Sequence, residues 1–190
     1  MIKPLLPEGS KLLEQETIPF SFWSPPIGPH EFQDELIENM TYYDGVGLSA
    51  NQIGYQYSVF AMNHEGNNMV LYNPQIIEES EEFVWEMEGC LTYPGLFIKI
   101  SRPKSLSASW EDAENKNFSG YFSDLSARIF LHEMDHIKGK LFYEGASQLH
   151  IQNARRKRRS HLKKIKTSSP TLWQSHLNNK KQEKVSAKTF

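Results

Sequence analysis

The 190-residue sequence predicts an α+β fold, mostly antiparallel sheet packed around a central helix. Three observations carry that reading. Apolar residues recur at helical spacing in two stretches, 30–43 and 124–138. Between them, from Tyr57 to about Tyr121, lie short β-prone runs separated by turn-forming residues, the pattern of a hairpin-rich sheet. The composition, 38% hydrophobic and 12% aromatic, suits a chain with a real core.

Residues 1–29 are polar and proline-rich, with Pro25-Pro26 and Gly28-Pro29, and read as an extended lead-in. Phe32, Leu36, Ile37, Met40 and Tyr43 then share one helical face, and Asp44-Gly45 ends that helix. The β-prone runs are Ser58–Met62, Met69–Tyr72, Phe83–Trp85, Phe97–Ile100, Leu106–Trp110 and Phe118–Phe122. Breaks such as Gly66-Asn67-Asn68 and Asn115-Lys116-Asn117 divide them. Ser123 or Asp124 is placed to cap the second helix and Gly139 to close it.

Charge divides the chain in two. Residues 1–150 carry nine Lys/Arg against 22 Asp/Glu, and residues 151–190 twelve against one, so a net −13 sits beside a net +11. We therefore expect a folded domain over 1–150 and a basic tail over 151–190, helical in part or disordered. The tail's cluster, ARRKRRSHLKKIK, has too little apolar surface to fold alone. No apolar run approaches bilayer length, and residues 1–17 lack a signal-peptide pattern, so the expected location is cytoplasmic with no membrane contact.

The chemistry concentrates in three segments. His132-Glu133-Met134-Asp135-His136 fits H-E-x-x-H. Residues four apart on a helix lie one turn along and about 40° around, so both imidazoles can reach one ion. Glu133 can then reach a water on that ion rather than the ion itself. A catalytic centre of this kind needs a third protein ligand. Downstream, Glu144, His150 and His161 are open as candidates, as they would be in an H-E-x-x-H endopeptidase. Upstream, Cys90 lies in Glu88-Gly89-Cys90-Leu91, beside a glycine that lets backbone come close. It is the only cysteine, so it cannot close an internal disulfide, and a thiolate is a strong ligand for zinc or ferrous iron. A closed structural metal site, or a basic RNA-binding module, is the reading from another class. The third segment, GVGLSANQ at 45–52, reads as a glycine-rich turn. It lacks the ending of a phosphate loop, and Gln52 offers an amide that could hold an oxyanion.

Taken together and in this order, GVGLSANQ, EGCLTYPG and HEMDH resemble peptide deformylase over roughly residues 30–145. The resemblance implies that family's fold and a metal-dependent hydrolase acting on N-formylmethionyl peptides and releasing formate. It implies Cys90, His132 and His136 as ligands of one divalent ion, Fe²⁺ in many members with Zn²⁺ or Ni²⁺ as substitutes. Glu133 would move the proton from the activated water to the leaving amine. The Gln52 side chain and the Leu91 backbone N–H would hold the oxyanion. Backbone at Val46, Gly47 and Gly89 would pair with the extended substrate. For the methionine side chain our candidates are Val46, Leu125 and Ile129, with ordinary core packing as their other role. Arg102 is the expected partner of Asp135. Ser49, Thr92 and Leu131 depart from the family pattern, and none of them is a ligand. In bacterial members a C-terminal extension contacts the ribosome, which makes ribosome or ribosomal RNA the expected partner of the basic residues at 155–166.

Overall fold

The computed structural model describes residues 1–168, with side chains described through 163. The part of the basic tail at 169–190 lies outside the described residues. Helix α1 spans Pro29–Tyr42 and helix α2 spans Asp124–Ile137. Seven strands lie between them: β1 Gly47–Ser49, β2 Val59–His64, β3 Asn67–Glu79, β4 Phe83–Gly89, β5 Phe97–Pro103, β6 Ser105–Glu111 and β7 Asn117–Ser123. Helix α3 runs from Gln148 to Ser168. Every strand pairing is antiparallel, in a five-stranded sheet of order β1-β2-β3-β6-β7 and a separate β4–β5 hairpin.

Strand β2 shows why two helices can share one sheet. Side chains alternate across a strand. Val59 and Ala61 face α1, packing with Phe32, Leu36 and Met40. Phe60 and Met62 face α2, packing with Phe122, Phe130 and Met134. α2 is therefore buried almost all round, with Ala127, Phe130 and His136 all at 2% exposure or less. A third core joins Tyr93, Leu96, Ile98 and Ile100 to Phe142 and Tyr143 beside the hairpin.

Several expectations shift in detail. The run expected over Met69–Tyr72 is longer, since β3 continues through Asn73-Pro74 to Glu79. Asn73 takes a left-handed φ of 48° and the β3–β6 register shifts between Tyr72 and Gln75. A bulge of this kind accommodates the missing proline N–H. Ser123 occupies the N-cap of α2 but makes no side-chain cap bond; the Asp124 N–H donates instead to Lys104 O at 2.8 Å. Part of GVGLSANQ is not a turn, since Gly47–Ser49 is edge strand β1, paired with Phe60–Met62. Helix α3 crosses residue 150, and Ile151 and Ala154 are buried in the third core, so the start of the basic segment is held by packing that charge counting does not register.

Gly139 closes α2 at φ 66°, and a Cβ there would lie 2.6 Å from the Gln15 carbonyl carbon. Gly139→Ala is therefore expected to lose at least about 2 kcal/mol, from left-handed strain plus a backbone clash. Thermal unfolding checks this.

Candidate active site

Helix α2 supplies three of the candidate side chains, His132, Glu133 and His136, from one broad face. The His132 and His136 rings lie 5.2 Å apart, centroid to centroid. Cys90 follows the last residue of β4 and comes from the opposite side of the site. Its Sγ is 3.2 Å from His136 Nε2. The ligand atoms of Cys90, His132 and His136 all lie within 4.8 Å of one another, the only such cluster of His, Cys, Asp or Glu among the described residues. The downstream alternatives, Glu144, His150 and His161, are exposed and outside it.

The donor set suits a borderline-soft divalent ion, with one thiolate and two imidazoles. Burial pushes the Cys90 thiol up, but the His136 and His132 imidazoles beside it outweigh that and bring it well below the ordinary thiol range. Glu88 prepares His132. Its Oε2 lies 3.1 Å from His132 Nδ1, so that nitrogen carries the proton and the other is free to bind metal. Burial alone would raise the Glu88 pKa, yet bonds from His132 and Arg102 lower it to about 2.

Glu133 is different. It is 3% exposed, and its Oε2 is buried with no hydrogen-bond partner. Burial, the largest cause, raises its carboxyl to about 7. An orphaned buried carboxylate beside three ligand atoms is what a site completed by an ion and a water would leave in the protein alone. Gly47 makes room for it, since a Cβ at position 47 would collide with the Glu133 carboxylate and stand 3.0 Å from Ile129 Cγ2.

Gln52 sits in the short 3-10 turn Ala50–Ile53 after β1. Its Oε1 accepts from the Ser49 N–H at 2.8 Å, which fixes the amide. Its Nε2 is turned to the site, 3.1 Å from Thr92 Oγ1 and 3.5 Å from Cys90 Sγ. Thr92, which departs from the family's serine, keeps the hydroxyl that this contact uses.

These groups line a cavity of about 1430 Å³. Val46, Gly47, Gln52, Gly89, Cys90, Leu91, Leu125, Ile129, His132 and Glu133 all border it, while His136 lies behind them at 2% exposure. The three methionine-pocket candidates differ. Ile129 is 6% exposed and also belongs to a core cluster, whereas Val46 and Leu125 stand at the rim, 55% and 61% exposed.

Sequence reading missed a buried ion network behind the ligands. Glu88 Oε1 accepts from Arg102 Nε at 2.7 Å and Arg128 Nη1 at 2.5 Å. Arg102 also reaches Asp135 at 2.8 Å, the pairing expected for Asp135. Arg128 bonds Val84 O and Ile100 O, tying α2 to the hairpin. One signal was available: Arg128 is a charge in an otherwise apolar stretch, one helical turn before His132.

A metallohydrolase of the α+β class is what this fold and this site define: residues that could hold a metal ion sit on a buried helix and one hairpin, with a buried carboxyl group beside them. The family model described as polypeptide deformylase matches residues 2–152, and the chain belongs to that family. Peptide deformylase from Borreliella burgdorferi is 40% identical over 116 residues, which are 60% of this chain and 70% of that protein. Peptide deformylase 1B of Arabidopsis thaliana is 39% identical over 116 residues, 58% of this chain but 42% of that longer protein. The crystal structure of peptide deformylase from Thermotoga maritima superposes with a TM-score of 0.73 at 28% identity, covering 77% of this chain and 99% of that one.

Proposed function

We propose that this chain removes the N-formyl group from the formylmethionine that begins nascent polypeptides, releasing formate and a free N-terminus. The observation that carries the reading is the convergence of Cys90, His132 and His136 next to the partnerless Glu133 Oε2 at one cavity. Cys90, His132 and His136 hold the divalent ion, Fe²⁺ in the cell with Zn²⁺ or Ni²⁺ as substitutes. When bound, such an ion polarises the formyl oxygen and lowers the pKa of water. Glu133 takes the proton as water oxygen adds to the formyl carbon, then gives it to the amide nitrogen as the C–N bond breaks. Gln52 Nε2 and the Leu91 N–H hold the negative oxygen. Backbone at Val46, Gly47 and Gly89 orients the peptide, and Ile129, Val46 and Leu125 receive the methionine side chain. The formyl group is small, so binding must come from these remote contacts.

The test is formate release. Purified protein loaded anaerobically with Fe²⁺, or with Ni²⁺, is incubated with formyl-Met-Ala-Ser. Formate at turnover rates is the expected result, and none above background would refute the reading. Cys90→Ser should weaken or alter metal binding, measured as metal content after dialysis. Full metal retention and activity would remove Cys90 from the ligand set.

The cytoplasmic location expected from sequence fits a substrate made on ribosomes. Among the described residues, no helix is long and apolar enough to cross a membrane. The basic cluster at 155–166 supports ribosome contact as part of this proposal: Arg155, Arg156, Lys157 and Arg159 are exposed on α3, and clustered charge attracts phosphate. Deleting residues after 150 would also remove Ile151 and Ala154 from the core. Neutralising those four to Gln is the cleaner variant, and ribosome co-sedimentation should fall markedly. Equal co-sedimentation would sink this part.

A further inference from the structure

The β4–β5 hairpin has a sharply two-sided outer surface. Val84, Glu88, Ile98, Ile100 and Arg102 turn inward, from partly buried to fully buried, while Glu86 on the same side is exposed and ion-paired with Arg128. The alternate positions turn out, and there Phe83 is 58%, Trp85 53%, Met87 59% and Phe97 60% exposed. Phe83 pairs with Pro103, Trp85 with Ser101, Met87 with Lys99 and Gly89 with Phe97, so Lys99 is the one charge on this face. Large apolar side chains in a continuous exposed row mark a contact surface rather than chance exposure.

What this row meets follows from where it starts. Met87, Gly89 and Phe97 border the active-site cavity, and the row continues from them without a break to Trp85 and Phe83. At about 3.3 Å per residue it extends some 20 Å from Gly89, the length of about six residues of extended peptide. We infer that the outer face of the hairpin receives the downstream segment of the substrate, from about the fourth residue onward, and favours apolar and aromatic side chains there. This rests on the deformylation reading and extends it. A short formyl peptide would use the cavity alone, and a nascent chain would use the cavity and the row.

Steady-state kinetics of the metal-loaded, full-length protein test it. Formyl-Met-Ala-Ser is compared with two equal-length extensions, one continuing Leu-Phe-Leu and the other Ser-Asn-Ser. The apolar extension is expected to raise kcat/KM over the polar one by about tenfold, as for one aromatic contact taken partly out of water. Phe83 and Trp85 are not among the residues that line the cavity. The double variant Phe83→Ser, Trp85→Ser should therefore keep the tripeptide rate and lose the gain. An equal effect of both extensions, or a gain that survives in the variant, overturns the inference. Formate from the tripeptide without any length effect overturns it while leaving the reaction standing. No formate from any peptide fails the reaction itself. Sedimentation of both forms covers self-association: a dimer that dissociates in the variant would make the row an interface between copies and overturn the inference.

Discussion

Glu133→Gln is expected to lower kcat by roughly 10²- to 10⁴-fold while leaving metal content unchanged. The carboxylate is not in the ligand cluster, so the amide variant keeps Cys90, His132 and His136 in place. It loses the group proposed to accept and return a proton. The substitution is nearly isosteric in a site where Gly47 leaves no spare room, so the fold should tolerate it. The pH profile separates this role from simple packing. Burial raises the Glu133 carboxyl to about 7, and a base works deprotonated. Wild-type kcat/KM should therefore fall as pH drops through the carboxyl's pKa. A cation bound alongside favours the carboxylate and moves that limb below 7. Residual activity of Glu133→Gln should lack the limb. A variant with near-normal kcat would remove Glu133 from proton transfer.

Glu88→Gln is expected to be the most damaging change to stability, by about 3–5 kcal/mol, because it removes the buried anion from two buried cations. For a chain of this size that is a Tm lower by roughly 10 °C. Arg102 keeps Asp135 and Arg128 keeps Glu86, which limits the loss. The linkage has a definite sign. The folded Glu88 pKa is lowered from 4.5 to about 2, so its contribution is complete above 4.5 and is lost as pH falls toward 2. Wild type should lose stability across that window, and the variant should lose less. Metal affinity should also fall, by roughly 10- to 100-fold, since the carboxamide has one acceptor oxygen where the carboxylate had two, and the charged acceptor that orients His132 is lost. A Tm shift of a degree or two would show that the network contributes little.

How much of this was legible before the fold was known depends on how local each feature is. α2 and its two histidines were readable because residues four apart on a helix share one face, and spacing alone brings His132 and His136 together. The hairpins were readable from β-prone runs and the turn residues between them. Strand β1 was not, because three residues of GLS carry no visible period, and only pairing with Phe60–Met62 makes them a strand. β3 ran past Pro74 because a bulge absorbed a residue that local rules treat as a stop. On the residues themselves Cys90 was one candidate third ligand beside Glu144, His150 and His161, and the family resemblance singled it out.

By itself, then, the sequence determined a helix with two imidazoles and a carboxylate on its buried side, a sheet of antiparallel strands, and a basic end. Those depend on periodicity and composition within a few turns of chain. Tertiary structure alone decided that Cys90, 42 positions before His132, comes within reach of both imidazoles. It also decided that Glu88 is shared among Arg102, Arg128 and His132, that Gln52 faces the site, and that α3 starts inside a core. Each of these is a contact between segments distant in sequence, made when separate hydrophobic faces bury against one another. No local pattern encodes which polar groups that burial will bring together.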